Sequence, residues 1–182
     1  MIYVFLADGF EEIEALAPVD ILRRAGLSVK TVGIGSKTVT GSHGIPVVAD
    51  CAEADVVPED AEMVILPGGK GTPHLDESEL VARCVHYCVA HDRWVGAICA
   101  APSVLGHLGV LEGKKATCFP GYEKELTGAQ VSDAYAVRDG KIITGRGAGA
   151  SVEFALTIVS ALCGEDAADG LRKTIQCPPL AR

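Results

Sequence analysis

Short apolar runs alternate along this chain with longer stretches in which apolar residues return every three or four positions. Residues 2–7, 63–66 and 94–98 are almost continuously apolar and of strand length, and residues 28–34 add a fourth run. Between them, residues 12–25 place Ile13, Leu16, Ala17, Ile21 and Ala25 on roughly one side of a helix. Pro18 inside that helix is expected to kink it or shift its start, and Gly26 to end it. Residues 77–91 and 100–108 predict two more helices. Residues 151–162 predict an amphipathic helix capped by Ser151 and ended by Gly164. Residues 165–176 predict a last helix, stopped before Pro178-Pro179. The runs 135–138 and 141–144 flank Asp139-Gly140 and predict a hairpin with those two residues as its turn. Residues 38–49, rich in Thr, Val and Gly, predict short strands around turns at Gly41 and Gly44. Strands that are apolar throughout are buried on both faces. The alternation therefore predicts an α/β fold, a mostly parallel sheet covered by helices with one β-hairpin added.

Composition narrows the picture. The 182 residues are expected to form a single domain spanning 1–182, and 48% of them are apolar. A formal charge of −8 argues against stable nucleic-acid binding, which needs clustered Lys and Arg. No run approaches the ~20 apolar residues of a membrane span, and the first residues read as a strand rather than a secretory signal. A cytoplasmic protein that does not bind membranes is expected. Seven cysteines, an odd number at irregular spacing, are read as reduced thiols.

Ligand sites in open α/β sheets form beyond the carboxyl ends of strands. Three such ends carry chemistry. Cys99 follows the run 94–98 and precedes a helix that has Pro102 in its first turn. A cysteine there stands on a sharp strand-to-helix turn, where helix N–H groups favour the thiolate and an ionisation near neutral pH is expected. The alternative is one more buried, inert cysteine. The run 2–7 ends in Asp8-Gly9-Phe10-Glu11-Glu12-Ile13-Glu14. Glu11 and Glu12 are accounted for by the helix dipole. Glu14 is spaced to face the sheet, where burial would raise its pKa and leave it protonated beside a thiolate. The run 63–66 ends in Pro67-Gly68-Gly69, which is either a tight turn or a place where main-chain N–H groups approach an oxyanion. Gly69-Lys70-Gly71-Thr72 lacks the spacing of a phosphate-binding loop. Cys84 and Cys88 lie four apart on one helix and read as core rather than metal ligands, because His86 lies off their face. Cys118 could approach Cys99 as a resolving thiol.

Taken together, these segments resemble the DJ-1/ThiJ branch of the DJ-1/PfpI superfamily, the branch of Parkinsonism-associated, deglycase-like proteins. The resemblance extends through residues 18–26, 97–102, 144–149 and 153–156 and covers nearly the whole chain. It implies a flavodoxin-like α/β/α sandwich acting as a homodimer without cofactor or metal. It implies Cys99 as nucleophile, Glu14 as the carboxylic acid touching it, and an oxyanion hole from Gly68, Gly69 and Ala100. Arg146 is placed near the site by analogy. The chain departs from relatives in three places. Protease-like members carry His where this chain has Ala100, some close relatives carry His at Phe119, and many carry Arg at His43. Phe119 thus removes one partner for Cys99. His43 is either a polar neighbour of the site or an exposed turn residue.

The resemblance implies a glutathione-independent glyoxalase or protein deglycase, acting on small carbonyls such as methylglyoxal or on glycated adducts, linked to oxidative-stress protection. The alternative is a redox sensor or redox-regulated chaperone that uses oxidation of Cys99. A peptidase is disfavoured by the missing histidines.

Overall fold

The computed structural model describes residues 1–178, so Pro179 of the terminal proline pair lies outside the described residues. The central sheet has seven strands in the order β10-β11-β7-β6-β1-β2-β5. Six of them are parallel, the five longer ones being β1 (Ile2–Leu6), β2 (Val29–Gly33), β6 (Met63–Leu66), β7 (Trp94–Ile98) and β11 (Ile142–Gly145). The short β5 (Cys51–Ala52) pairs parallel to β2, and β10 (Ala136–Asp139) closes the other edge antiparallel to β11. Two small ribbons lie outside the sheet. One is the antiparallel pair β3 (Thr38–Thr40) and β4 (Pro46–Val48); the other is the parallel pair β8 (Lys115–Ala116) and β9 (Gln130–Val131). The ribbon β8–β9 has no counterpart in the hydrophobic pattern, because two-residue strands are too short to show a period.

Helices α1 (Glu12–Arg24), α5 (Ser151–Cys163) and α6 (Glu165–Thr174) cover one face of the sheet. Helices α2 (Thr72–Asp76), α3 (Glu79–Ala90) and α4 (Pro102–His107) cover the other. Alternation along β1 sorts its side chains between two cores: Tyr3 and Phe5 enter one, Ile2, Val4 and Leu6 the other. Each strand is therefore buried on both sides, which is why it reads as a continuous apolar run. Cys84 and Cys88 are fully buried in the core under α3, as the packing reading expects, and burial pushes their thiols up to about 11 and about 12.

The structure corrects three local expectations. The helix expected over 77–91 is present but begins at Glu79 and ends at Ala90. A separate α2 precedes it, and Ser78 caps α3 by accepting from the Val81 N–H at 3.3 Å. Ser151 is the first residue of α5 rather than its cap; its hydroxyl donates back to Ala148 O at 2.8 Å. The hairpin turn is Gly140-Lys141, because Asp139 pairs with Ile142 and Gly140 takes the positive φ of 59°. Pro18 sits inside α1, so the helix neither stops nor starts there. Among the described residues, no helix is long and apolar enough to cross a membrane.

Candidate active site

The sheet order places β7, β6 and β1 side by side, so their three carboxyl ends meet. Strand β1 leads through residues 7–11 into α1, β6 into Pro67-Gly68-Gly69, and β7 into Cys99. The loops are stitched by main-chain bonds. Glu11 N–H donates to Gly68 O at 2.9 Å, Gly71 N–H donates to Gly9 O at 2.9 Å, and Phe10 and Gly69 form an isolated antiparallel bridge. Gly69 has φ 96°, and a Cβ there would stand 2.5 Å from Glu11 N, so both backbone freedom and space call for glycine.

Cys99 takes φ 66°, in the left-handed region that L-residues with a Cβ avoid. The conformation is fixed from both sides: Cys99 N–H donates to Gly145 O at 2.9 Å, and Cys99 O accepts from Phe119 N–H at 2.8 Å. This turn lifts the half-buried sulfur out of the strand and toward the main-chain N–H groups of Gly69 and Ala100, which favour its thiolate.

Glu14, on the first turn of α1, is fully buried. Its Oε2 accepts from Gly68 N–H at 2.9 Å, and its Oε1 has no N–H or hydroxyl partner. The Cys99 side chain faces the carboxyl. Burial raises the Glu14 pKa to about 7, against the lowering effect of the neighbouring Cys99 side chain and of the Gly68 N–H. Burial also pushes the Cys99 thiol up to about 12, helped by the charge of Glu14 and opposed by the Ala100 and Gly69 N–H groups. The expectation of a thiol lowered by the helix start is therefore corrected. Desolvation outweighs the Ala100 N–H, just ahead of a six-residue helix, and the Gly69 N–H, in the loop after β6. An ionised Glu14 makes the thiol harder still to ionise. Near neutral pH the thiol therefore keeps its proton, and Glu14, with a pKa of about 7, is the member of the pair that can take up or release one.

The remaining predicted residues fall in distinct places. Gly68 is not free to serve an oxyanion, since its N–H is engaged by Glu14. Phe119 and Arg146 flank the main chain of Cys99, Phe119 through its N–H and Arg146 as the residue after Gly145. The Arg146 guanidinium turns away to Asp133, with Nη1 at 2.6 Å from the main-chain oxygen and 2.9 Å from Oδ1. Cys118 is buried, and burial pushes its thiol up to about 11. His43 lies in the β3–β4 turn, exposed, with Nδ1 2.9 Å from Glu12 Oε2. Glu12 is no mere dipole partner. It is buried, and its Oε1 accepts from His43 N–H at 2.8 Å. Burial opposes its ionisation, but the bonds from His43 and Ile45 hold its carboxyl below the usual range. No sequence signal marks this latch, because its partners are 31 positions apart. Glu11, Glu12 and His43 are also the grouping whose ligand atoms lie near enough for a cation, yet both Glu12 oxygens already hold hydrogen bonds.

Residues 1–161 match the model of the DJ-1/PfpI family. This chain belongs to the DJ-1/PfpI family. It is 38% identical over 167 residues to Protein dj-1beta of Drosophila melanogaster, covering 90% of this chain and 89% of that protein. It is 33% identical over 167 residues to a Caenorhabditis elegans protein named Glutathione-independent glyoxalase DJR-1.2, covering 91% and 89%. The crystal structure of Drosophila melanogaster DJ-1beta superposes with a TM-score of 0.92 at 34% identity over 98% of both chains. Toxoplasma gondii DJ-1, oxidized, gives 0.92 at 29% identity over 96% of this chain and 97% of its own. The flavodoxin-like sandwich of this family member is thus shared with solved DJ-1 structures.

Proposed function

We propose that this protein converts reactive dicarbonyls to hydroxy acids, methylglyoxal to lactate in the simplest case, without glutathione, metal or nucleotide, as a single domain within a homodimer. The reading is carried by one observation: the fully buried Glu14 carboxyl, held by the Gly68 N–H, stands against Cys99 on a left-handed elbow beside the Ala100 main chain. The relative named as a glutathione-independent glyoxalase supports the substrate class. Glycated amines are the related substrates of a deglycase form of the same chemistry.

Cys99 Sγ bonds to the aldehyde carbon while its proton passes to the Glu14 carboxylate. The aldehyde oxygen gains charge beside the Gly69 and Ala100 N–H groups and is protonated to a hemithioacetal. Glu14, ionised again, removes the C–H proton at that carbon and returns it to the adjacent carbonyl carbon, with a proton exchanged between the two oxygens. The attacked carbon becomes a thioester and its neighbour carries the hydroxyl. Water cleaves the thioester, giving the acid and restoring the thiol. One water is added and the oxidation is internal to the substrate, so no external oxidant is needed.

Lactate production from methylglyoxal, followed by NMR, tests this. The wild type is expected to form lactate, and Cys99→Ser and Glu14→Gln to lose at least about a hundredfold in rate. No lactate above the protein-free blank sinks the proposal. A second reading, a sensor that oxidises Cys99 to the sulfinic acid, draws on the structural neighbour solved as an oxidized DJ-1. Its mark is a mass increase of about 32 Da after mild peroxide that disappears in Cys99→Ser.

A further inference from the structure

Beside the elbow lies an open cleft of about 260 Å³ lined by Phe119, Pro120, Tyr135, Arg146 and residues 147–150. Its two ends are tied to the main chain of Cys99. Phe119 donates its N–H to Cys99 O, and Gly145, just before Arg146, accepts the Cys99 N–H. The cleft is therefore anchored through main-chain bonds to the residue that carries Sγ, although Cys99 itself does not line it.

The walls are mostly apolar. Phe119 is 48% exposed and Tyr135 68% exposed, large aromatic areas for a chain that buries its other phenylalanines almost completely. The Phe119 ring rests on Gly147, where a Cβ would stand 3.2 Å from Cδ2. Gly147 has φ 166°, ordinary extended backbone, so what this glycine supplies is room for the ring. The single charged lining group, Arg146, is turned to Asp133. A hydroxyl-rich or charged substituent would lose water here without gaining a matched partner, whereas a flat apolar one would cover exposed aromatic surface.

We propose that Phe119 is a specificity-determining residue, and that the site prefers dicarbonyls bearing an aryl or alkyl substituent over unsubstituted or polyhydroxylated ones. The inference rests on the dicarbonyl reading above. It adds no chemical step, since an aryl dicarbonyl follows the same internal oxidation and ends as an aryl hydroxy acid.

The test is a one-pot competition between phenylglyoxal and glyoxal, with mandelate and glycolate quantified by NMR and a Cys99→Ser reaction subtracted as blank. The product ratio reports the ratio of kcat/KM directly. The wild type is expected to favour mandelate by at least about tenfold, the scale of apolar pocket discrimination. Phe119→Ala and Phe119→His should bring the ratio within about threefold of unity, and Phe119→Tyr, which keeps a ring, should retain the preference. A wild-type ratio near unity, mandelate absent while glycolate forms, or a ratio unchanged in Phe119→Ala overturns this inference alone. Absence of both acids, together with no lactate from methylglyoxal, overturns the dicarbonyl reading and this inference with it.

Discussion

The main-chain N–H of Gly68 donates to Oε2 of Glu14 across 54 positions of sequence, at 2.9 Å and out of contact with water. This bond fixes the carboxyl that faces Cys99. It also leaves no room for a side chain: a Cβ on Gly68 would stand 2.8 Å from Cys99 Cβ, 2.8 Å from Glu14 Oε2 and 2.9 Å from Ala100 N.

Gly68→Ala is therefore expected to separate the acid from the thiol. Gly68 is outside the left-handed region, so the cost comes from crowding and not from backbone conformation. Overpacking of this kind costs about 1–3 kcal/mol in stability. Displacing a reacting group by an ångström costs roughly a hundredfold in rate. Urea unfolding and lactate formation measured on one preparation check both. Wild-type kinetics in Gly68→Ala would contradict the geometry.

Glu14 makes stability depend on pH in a defined direction. Its pKa is about 7 in the folded chain against an ordinary 4.5, so folding tightens the hold on the proton. That contribution is complete below 4.5 and is lost as pH rises through about 7. The full swing is about 3 kcal/mol. Glu14→Gln keeps an acceptor for Gly68 and cannot ionise. Relative to the wild type it should gain about 2–3 kcal/mol between pH 5 and pH 8 in urea titrations. A difference that stays constant with pH would show that burial does not raise this carboxyl.

Cys99 stores backbone strain at φ 66°. Replacing it by glycine relieves the clash of Cβ with its own carbonyl, whereas alanine retains it. Cys99→Gly is expected to be more stable than Cys99→Ala by about 1 kcal/mol, although glycine usually destabilises folded chains. Thermal unfolding of the two inactive variants decides this, and the reverse order would mean that the elbow is not strained.

The Glu12–His43 latch should be visible by NMR. Hydrogen bonding to Glu12 and the charge of Glu11 hold the His43 pKa above its ordinary 6.5. Protonated His43 therefore adds to stability below that value, and the contribution fades as pH rises through the raised pKa. In Glu12→Gln the His43 midpoint should move back toward 6.5. An unmoved midpoint would leave the latch without an electrostatic role.

The sequence by itself determined the layered architecture and the three strand-end loops that form the candidate site. Strands buried on both faces must be continuously apolar, and helices buried on one side must repeat every three or four residues, so β1, β6, β7 and α1 were legible. Cys99, Glu14 and Gly69 were legible too, because each follows a strand end at a spacing that points it inward. Tertiary structure alone decided what these residues do to one another. Only strand order brings β1 next to β6 and β6 next to β7, and so gives Gly68 to Glu14 instead of to an oxyanion. Only packing sets the degree of desolvation, which raises the Cys99 thiol where the helix start alone would have lowered it. The Glu12–His43 latch and the Phe119 cleft were likewise outside the reach of pattern. They join residues distant in the chain, and neither a hydrogen bond across a loop nor an exposed ring beside a cysteine leaves a period to read.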